Sequence, residues 1–446
     1  MLRSRFFVGY ARGERLISEG QSQTRASGYI ELVRNNPNFR TLWFGQIVSL
    51  LGDWFNLIAS ASLVANLTGS ELGVGALFVV RFLAPFLISP LAGVWADRYN
   101  RKHLLIMADL SRALIVLGFL FVREPEQTWL LYALTTAQLA IGGIFFPGRN
   151  AIIPDLVSKQ ELGAANTLSS TTWATMLAIG SALGGLVAGK WGIYPAFVID
   201  STTFLLSAML ISRVRYRKPA PIDDAGQGVL PPLRQYMDGL RYLRRHADIM
   251  AIGMHKAAMS LAVYGVFNVI QVMIARDIFV IGEEGAITLG LQYMVGGLGT
   301  GLGPIITRHV TRDREPWLRA ALALAYILAL AGLITISSLH SLPLVLLGTF
   351  VLEFGGGINW VFSTQLLMKL LPNRVRGRVF STEFASFTLT SALGAGLGGW
   401  ILQSAGLELS RLLRWLGLLA LVPGLLWTLW LIRRPAAASP AKLDSP

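Results

Sequence analysis

Cysteine is absent from the 446 residues, which excludes disulfides, thiolate metal sites and cysteine nucleophiles. Histidine is scarce: His103, His246, His255, His309 and His340 are scattered along the chain, so no paired constellation for a metal hydrolase or a Ser-His dyad is visible and an enzyme is not expected. No G-x-x-x-x-G-K-[ST] stretch occurs to hold nucleotide phosphates. Neither filter loops nor rings of charge suggest a channel. Charge is thin, with 14% of residues Asp, Glu, Lys or Arg against 53% apolar, and mean hydropathy is +0.54. A soluble protein of this length does not have that balance, so the default is an integral membrane protein. Lys and Arg outnumber Asp and Glu by 39 to 25, but the cations fall in short clusters between apolar runs and form no aromatic-interleaved basic module. They read as membrane topology, and no nucleic-acid partner is expected.

A helix needs about 20 mostly apolar residues to cross the hydrocarbon core. Such runs cover approximately 41–67, 72–95, 103–122, 128–147, 164–188 and 194–212, then 248–275, 286–307, 316–337, 342–367, 378–403 and 412–432. Twelve crossings put both ends of the chain on one side. With that side cytoplasmic, about 31 of the 39 Lys and Arg lie in cytoplasmic segments, as the positive-inside bias requires, and Arg81, Arg112 and Lys256 remain within spans. The first 29 residues carry arginines but lack an apolar core with a small-residue cleavage site. The expected organisation is a cytoplasmic tail (1–38), a six-helix bundle (39–212), a cytoplasmic linker with four prolines and an arginine-rich amphipathic piece (213–246), a second six-helix bundle (247–434) and a tail (435–446).

The halves look duplicated. Ser181-Ala-Leu-Gly-Gly185 recurs as Ser391-Ala-Leu-Gly-Ala395, Gly93-x-x-x-Asp97-Arg98 as Gly303-x-x-x-Thr307-Arg308, and Pro154 and Pro372 each follow the fourth span of their half. Between the second and third spans stands Gly93-Val-Trp-Ala-Asp97-Arg98-Tyr-Asn-Arg101-Lys102. Gly93 lets a helix end pack closely, Asp97 is able to accept backbone N–H bonds at a helix N-terminus, and Arg98, Arg101 and Lys102 offer cations to carboxylates or lipid phosphates. This run resembles the G-x-x-x-D-R-x-x-R-[RK] loop signature of the major facilitator superfamily, at the place in the topology where that family carries it. The resemblance implies an all-α membrane protein of twelve helices in two pseudo-symmetric bundles, with this loop as a gating latch. Gly180-x-x-x-Gly184-Gly185-x-x-Ala188-Gly189 resembles the family's proton-antiporter pattern, although Gly185 replaces a proline and Ala188 a glycine; plain helix packing is the competing explanation. The run Gly45-Gln-x-x-Ser-Leu-Leu-Gly-Asp53 and Pro154-Asp-Leu-Val ahead of Ala165-Asn166 look most like the macrolide-efflux and enterobactin-exporter branch.

Charges inside a bilayer cost about 2.5–3.5 kcal/mol each on insertion scales, so each calls for a partner, water or a task. At about 1.5 Å per residue, Asp53 and Arg81 reach the same depth and are candidates to pair. Lys256 and Glu353 likewise share a level, and Asp109 and Arg112 stack three apart on one helix face as a structural pair. The family resemblance implies that the first, fourth, seventh and tenth helices line the cavity, which makes Asp53, Lys256 and Glu353 candidates to border it. Asp53, with Glu353 second, is the expected carrier of a coupling proton; a permanent Asp53–Arg81 bridge is the alternative. Trp54, Phe354 and Trp360, together with Phe55, Trp173, Phe350 and Phe362, are candidate cavity aromatics suited to a large, partly apolar solute.

The expected function is secondary active transport, with proton-coupled export of a drug or siderophore first. Lysophospholipid transport and nutrient uptake are the alternatives. Expected partners are a small-molecule substrate, protons and membrane lipid, the expected state is a monomer in the inner (plasma) membrane, and no cofactor or metal is foreseen.

Overall fold

A computed structural model describes residues 28–158, 160–216, 232–404 and 406–433. Most of the two expected tails and residues 217–231 of the expected linker lie outside those residues. Among the described residues every regular element is helical. Before the first crossing comes α1 (Tyr29–Asn35); the first half then runs α2 (Pro37–Thr68), α3 (Glu71–Arg98), α4 (Arg101–Leu117), α5 (Thr128–Leu156), α6 (Leu162–Trp191) and α7 (Ile193–Ser212). The linker ends in α8 (Pro232–Arg245). The second half contains α9 (Ala247–Gly253), α10 (His255–Met259), α11 (Gly265–Met273), α12 (Ala286–Thr311), α13 (Glu315–Ser337), α14 (Leu342–Leu370), α15 (Asn373–Ser404) and α16 (Leu409–Arg433).

The breaks follow capping chemistry. Asn36 accepts the Phe39 N–H with Pro37 in the first turn, and Gly69, at φ 57°, ends α2 in the left-handed conformation that glycine adopts without strain. Ser70 then caps α3 through the Gly73 N–H, and Asn100 caps α4 through Lys102 and His103.

Among the described residues, eleven helical segments are long and apolar enough to cross a membrane. The remaining expected crossing, α12, is a 26-residue helix packed along α14 and α6, but its six glycines at 290, 296, 297, 299, 301 and 303 lower its hydropathy. Most of those glycines, Gly301 excepted, serve close packing: a Cβ on Gly299 or Gly303 would sit 2.6 or 2.3 Å from the Phe350 or Phe354 carbonyl oxygen. The outside of the bundle is lipid-like, with Leu418, Leu419, Leu425, Leu426 and Ile432 of α16 exposed.

The seventh crossing is interrupted. A wide π-turn at Ser260–Tyr264 separates its helical pieces and a second at Ile274–Ile278 ends it, and Gly265 meets α15 so closely that a Cβ would lie 2.6 Å from Gly394 Cα. The Ser260 and Ser391 hydroxyls share a hydrogen bond of 2.5 Å at the first turn. Such inserted turns re-aim neighbouring side chains and are enriched at functional positions.

Two equivalent seams join the halves. Between α6 and α12, a Cβ on Gly290 would lie 2.6 Å from Ser181 O, and one on Gly185 would lie 2.6 Å from Ala286 O. Between α15 and α3, a Cβ on Gly75 would lie 2.8 Å from Ala395 O, and one on Gly399 would lie 2.7 Å from Glu71 O. Ser181 and Gly185 correspond to Ala395 and Gly399, each 214 positions on, and Ala286 and Gly290 correspond to Glu71 and Gly75, each 215 positions back. The two seams are thus equivalent at an offset of 214 or 215, the geometric signature of duplication; the Ser-Ala-Leu-Gly match, at an offset of 210, is one helical turn out of that register, and Ser391 and Gly394 pack on Gly265 within their own half. Both seams lie toward the end of the bundle that carries the α2–α3, α6–α7 and α11–α12 turns, opposite the described ends of the chain. That end is further tied by Ser70, whose hydroxyl donates to Gln403 at 2.6 Å, and by Arg276, which reaches the Ala65 carbonyl at 3.2 Å and Glu71 at 3.7 Å.

Candidate functional site

The first half holds a buried ionic cluster. Arg112 of α4 donates to Asp53 of α2 through Nη2, to Asp109 at 3.5 Å and to Ser49 at 3.4 Å through Nη1, and its guanidinium lies 3.9 Å from the centre of the Phe204 ring. The helix pattern brings Asp109 and Arg112 together, three apart on one face, and α2 packs within reach of both. Asp109 is fully buried and Arg112 nearly so, whereas the Asp53 side chain is 24% exposed. Only Asp53 among these three therefore opens onto space. Equal depth favours an Asp53–Arg81 pair, but Arg112 takes Asp53, and Arg81 Nη1 is buried without a hydrogen bond. Depth along a helix follows from residue count; the direction in which a side chain leaves the helix also depends on how the bundle packs. Asp200, the sole charged residue of α7, joins this group: it is fully buried, and Asp53, Arg112 and Arg81 lie within electrostatic reach.

The second half holds a different pair. Lys256 Nζ binds Glu383 of α15 at 2.9 Å and donates to Thr364 Oγ1 of α14 at 2.7 Å, while lying 4.3 Å from the centre of the Trp360 ring. Lys256 and Glu383 are 7% and 3% exposed, so the ammonium is almost wholly solvated by protein. Glu353, expected level with Lys256, instead accepts from Thr300 of α12 at 3.2 Å. It lies beside the narrow space over Gly356, where a Cβ would meet Tyr264 Oη at 2.0 Å and Glu353 Oε2 at 3.4 Å. Asp200 and Glu383 escape a reading that follows only candidate cavity helices, although each announces itself as the lone acid of a long apolar helix.

Aromatic rings bridge the halves just inside the seams. Trp54 packs against Trp173 at 6.0 Å and, across the interface, against Tyr293 at 6.3 Å; Trp360 packs on Phe387 at 5.1 Å, and Phe387 crosses to Phe82 at 6.4 Å. Trp173 and Trp360 are about two-fifths exposed. Phe354 is turned the other way: it packs on the hydrophobic core of the second half and against Phe350. Phe55 and Phe362 are buried in the cores of their halves.

The glycine motif of α6 faces two ways. A Cβ on Gly180 would lie 3.0 Å from Trp54 Cδ1 and one on Gly184 would lie 3.0 Å from Phe55 Cα, so these two seat α6 on α2. Gly185 and Gly189 point across the interface, where a Cβ would lie 2.6 Å from Ala286 O or 2.5 Å from Ile287 Cγ1. Of the loop signature, Gly93, Asp97 and Arg98 fall within α3 but their side chains lie outside the described residues. Arg101 donates to Asp155 at 2.7 Å and to the Ala151 carbonyl at 2.9 Å, joining the start of α4 to the end of α5, and Lys102 gives its backbone N–H to the Asn100 cap.

At the corresponding place in the second half, the turn after α12 is held by Asp313. It accepts from Arg308 at 2.6 Å and 2.9 Å and from Gln365 at 2.9 Å, and its carbonyl accepts from Lys369 at 2.5 Å. Those bonds, from Gln365 and Arg308, hold the Asp313 carboxyl below the usual carboxylate range. A cavity of about 650 Å³ opens beside this turn, lined by Ile305, Arg308, His309, Arg312 and Asp313.

Comparison with known proteins agrees with this architecture. The uncharacterised MFS-type transporter YfiS of Bacillus subtilis (strain 168) is 26% identical over 85% of this chain and 90% of its own length. The putative bacilysin exporter BacE of Bacillus amyloliquefaciens is 24% identical over 81% of this chain and 88% of its own. Macrolide efflux protein A of Streptococcus pyogenes is 25% identical over 54% and 59%. Among solved structures, an auto-inhibited POT family peptide transporter superposes with a TM-score of 0.70 at 13% identity, covering 92% of this chain and 99% of that one. A bacterial homologue of the human lysosomal transporter Spinster, inward-facing and occupied, gives 0.68 at 14% identity, covering 88% and 95%. At those identities the structures speak for the fold alone. The profile of the Major Facilitator Superfamily matches residues 42–382 and 319–446, and the chain belongs to that family: it is a multi-pass membrane transporter of a small-molecule substrate, not an enzyme, with efflux pumps among its relatives.

Proposed function

We propose that this transporter is a proton-driven exporter of a large amphipathic or apolar solute, working by alternating access as a monomer in the inner (plasma) membrane with both termini in the cytoplasm. The observation that carries the reading is Asp53: a carboxylate at the exposed edge of an otherwise buried ionic cluster, next to Trp54, whose ring meets Tyr293 of the other half. A group so placed is able to exchange protons with water on whichever side is open, and its bond to Arg112 couples that exchange to helix packing. Glu353, beside Thr300 and Tyr264, is the second candidate carrier. Trp54, Trp173, Tyr293, Phe387 and Trp360 form the aromatic wall against which the solute rests; Phe354 supports the core behind it. With the termini cytoplasmic, the two glycine seams close the outer end, and the Gly93–Lys102 loop latches the inner end in the opposite conformation.

One proton entering across about 150 mV supplies about 3.5 kcal/mol, enough for a solute gradient of a few hundred-fold. The test is accumulation by everted membrane vesicles of a macrolide, a catecholate siderophore and a lysophospholipid, with and without an imposed pH gradient. Gradient-dependent accumulation of the macrolide or siderophore supports the reading, with loss in Asp53→Asn. Accumulation that ignores the gradient rejects proton coupling, movement of the lysophospholipid alone rejects the solute class, and a fully coupled Asp53→Asn protein removes Asp53 as carrier.

A further inference from the structure

Asp200 stands at the centre of α7, fully buried, and neither carboxylate oxygen meets a donor in hydrogen-bonding geometry. Its surroundings are built for it. Thr203 Oγ1 and Asp200 Oδ1 share the space over Gly52, where a Cβ would come within 2.0 Å and 2.4 Å of them, so the missing side chain on α2 admits both the hydroxyl and the acid. Asn56, one turn further along α2, faces it, and that amide is also unmatched at both Oδ1 and Nδ2. Four unsatisfied atoms in one buried spot would be expensive, at about 1–3 kcal/mol each.

A proton on Asp200 resolves all four. A carboxylic acid and a primary amide are complementary: the acid O–H donates to Asn56 Oδ1 while the acid carbonyl accepts from Nδ2. An ionised Asp200 accepts from Nδ2 but leaves Asn56 Oδ1 facing a negative charge. Charge counting also calls for one proton in this cluster. Three carboxyls (Asp53 on α2, Asp109 on α4 and Asp200 on α7) surround two guanidinium groups, Arg112 on α4 and Arg81 on α3. Fully ionised, the group carries one excess negative charge in a medium that tolerates none. Arg112 bonds Asp53 closely and Asp109 only at 3.5 Å, with Asp109 Oδ2 also unmatched; among the fully buried acids, Asp200 is the one that faces an amide able to accept its proton.

We propose that Asp200 holds the proton of this cluster and that Asp53 is the exposed relay through which it reaches water. This deepens the proton-coupled reading and rests on it for the relay step. Proton transfer from Asp200 to Asp53 breaks the acid–amide pair and removes the charge from Asp53 that holds Arg112, leaving the guanidinium free to turn to the new carboxylate on α7. The helix packing of α2, α4 and α7 would then differ between the two protonation states.

Infrared spectroscopy of the purified transporter at neutral pH tests the assignment without any solute. Asp200→Asn is expected to lose one group's worth of the deuterium-sensitive carboxylic-acid carbonyl band, while Asp53→Asn and Asp109→Asn keep it. An undiminished band in Asp200→Asn, or its loss in Asp53→Asn instead, overturns the proposal. Should Asp200→Asn fail to fold, Asn56→Leu serves: freeing the acid carbonyl is expected to move the band to higher wavenumber, and an unmoved band refutes the acid–amide pair. In vesicles, Asp200→Asn is expected to abolish the response to a pH gradient. A full response there, with the infrared loss intact, makes the proton a static part of the fold and rejects the relay. Failure of the wild type to respond counts against proton coupling itself and leaves the infrared result to decide where the proton sits.

Discussion

The seam between α6 and α12 offers the sharpest quantitative test, through Gly185→Val. A Cβ at this position lies 2.6 Å from the Ala286 carbonyl oxygen and 2.8 Å from Gly290 Cα, so the helices must separate by about 1 Å to restore ordinary contact. Both obstacles are backbone atoms with no rotamer to yield. Overpacking of this kind costs about 1–3 kcal/mol, and about 2 kcal/mol borne by the sealed conformation alone shifts the equilibrium toward opening at that end about thirty-fold. The chain contains no cysteine, so a single Tyr293→Cys probe, about one turn deeper than Gly290 on α12, is labelled without background. The rate of its reaction with a membrane-impermeant maleimide in intact cells is expected to rise by about that factor when Gly185→Val is added. Gly184→Val is the control. It presses on Phe55 Cα at 3.0 Å within the same half, so it is expected to lower the melting temperature while leaving the labelling rate of folded protein unchanged. Unaltered labelling in Gly185→Val, or equal acceleration by both variants, refutes the seam as the device that closes this end.

Removing Arg112 leaves Asp109 buried without a cation, so Arg112→Leu is expected to destabilise by about 3–5 kcal/mol, with folding recovered in Arg112→Leu/Asp109→Leu; fluorescence-detected size exclusion after heating reads both. Lys256→Met is expected to strand Glu383 in the same way, and the double variant Lys256→Met/Glu383→Leu to restore thermal stability while altering transport. A double variant no more stable than Lys256→Met would contradict the ion pair as the reason. The Asp313 turn has an acid-side dependence only. Because its folded carboxyl titrates below the unfolded value of about 3.9, its contribution is complete above that pH and is lost as pH falls through the lower, folded value. Hydrogen exchange in the α12–α13 turn is therefore expected to be flat from about pH 7 to pH 5 after correction for intrinsic rates and to rise only in stronger acid, a step that Asp313→Asn removes. A rise near neutrality would count against this account.

Particular residues mark how far the sequence carries. The crossings are legible because about 20 apolar residues in a row have few other uses, and even α12, too glycine-rich for the hydropathy measure, is delimited by Gly285 and the Arg308–Arg314 cluster. The repeat Ser-Ala-Leu-Gly suggests duplication, but the true register, offset by 214 and not by the motif's 210, appears only when Ser181 O is found against Gly290 and Ala395 O against Gly75. Asp109 and Arg112 follow from helical periodicity alone. Asp53 with Arg112, and Lys256 with Glu383, do not: these partners lie on different helices, 59 and 127 positions apart, and nothing local selects them from other charges at similar depth.

Composition, span length, charge asymmetry and a ten-residue loop thus determine that this chain is a membrane-embedded helical transporter of its family, because desolvation of the backbone and of charge leaves an apolar 446-residue chain few other states. Tertiary structure decides which charges share a bond, which glycines admit a neighbour's backbone and which end of the bundle is closed. Those outcomes depend on the rotation of each helix about its own axis, a quantity set by the packing of all the helices together and carried by no single segment.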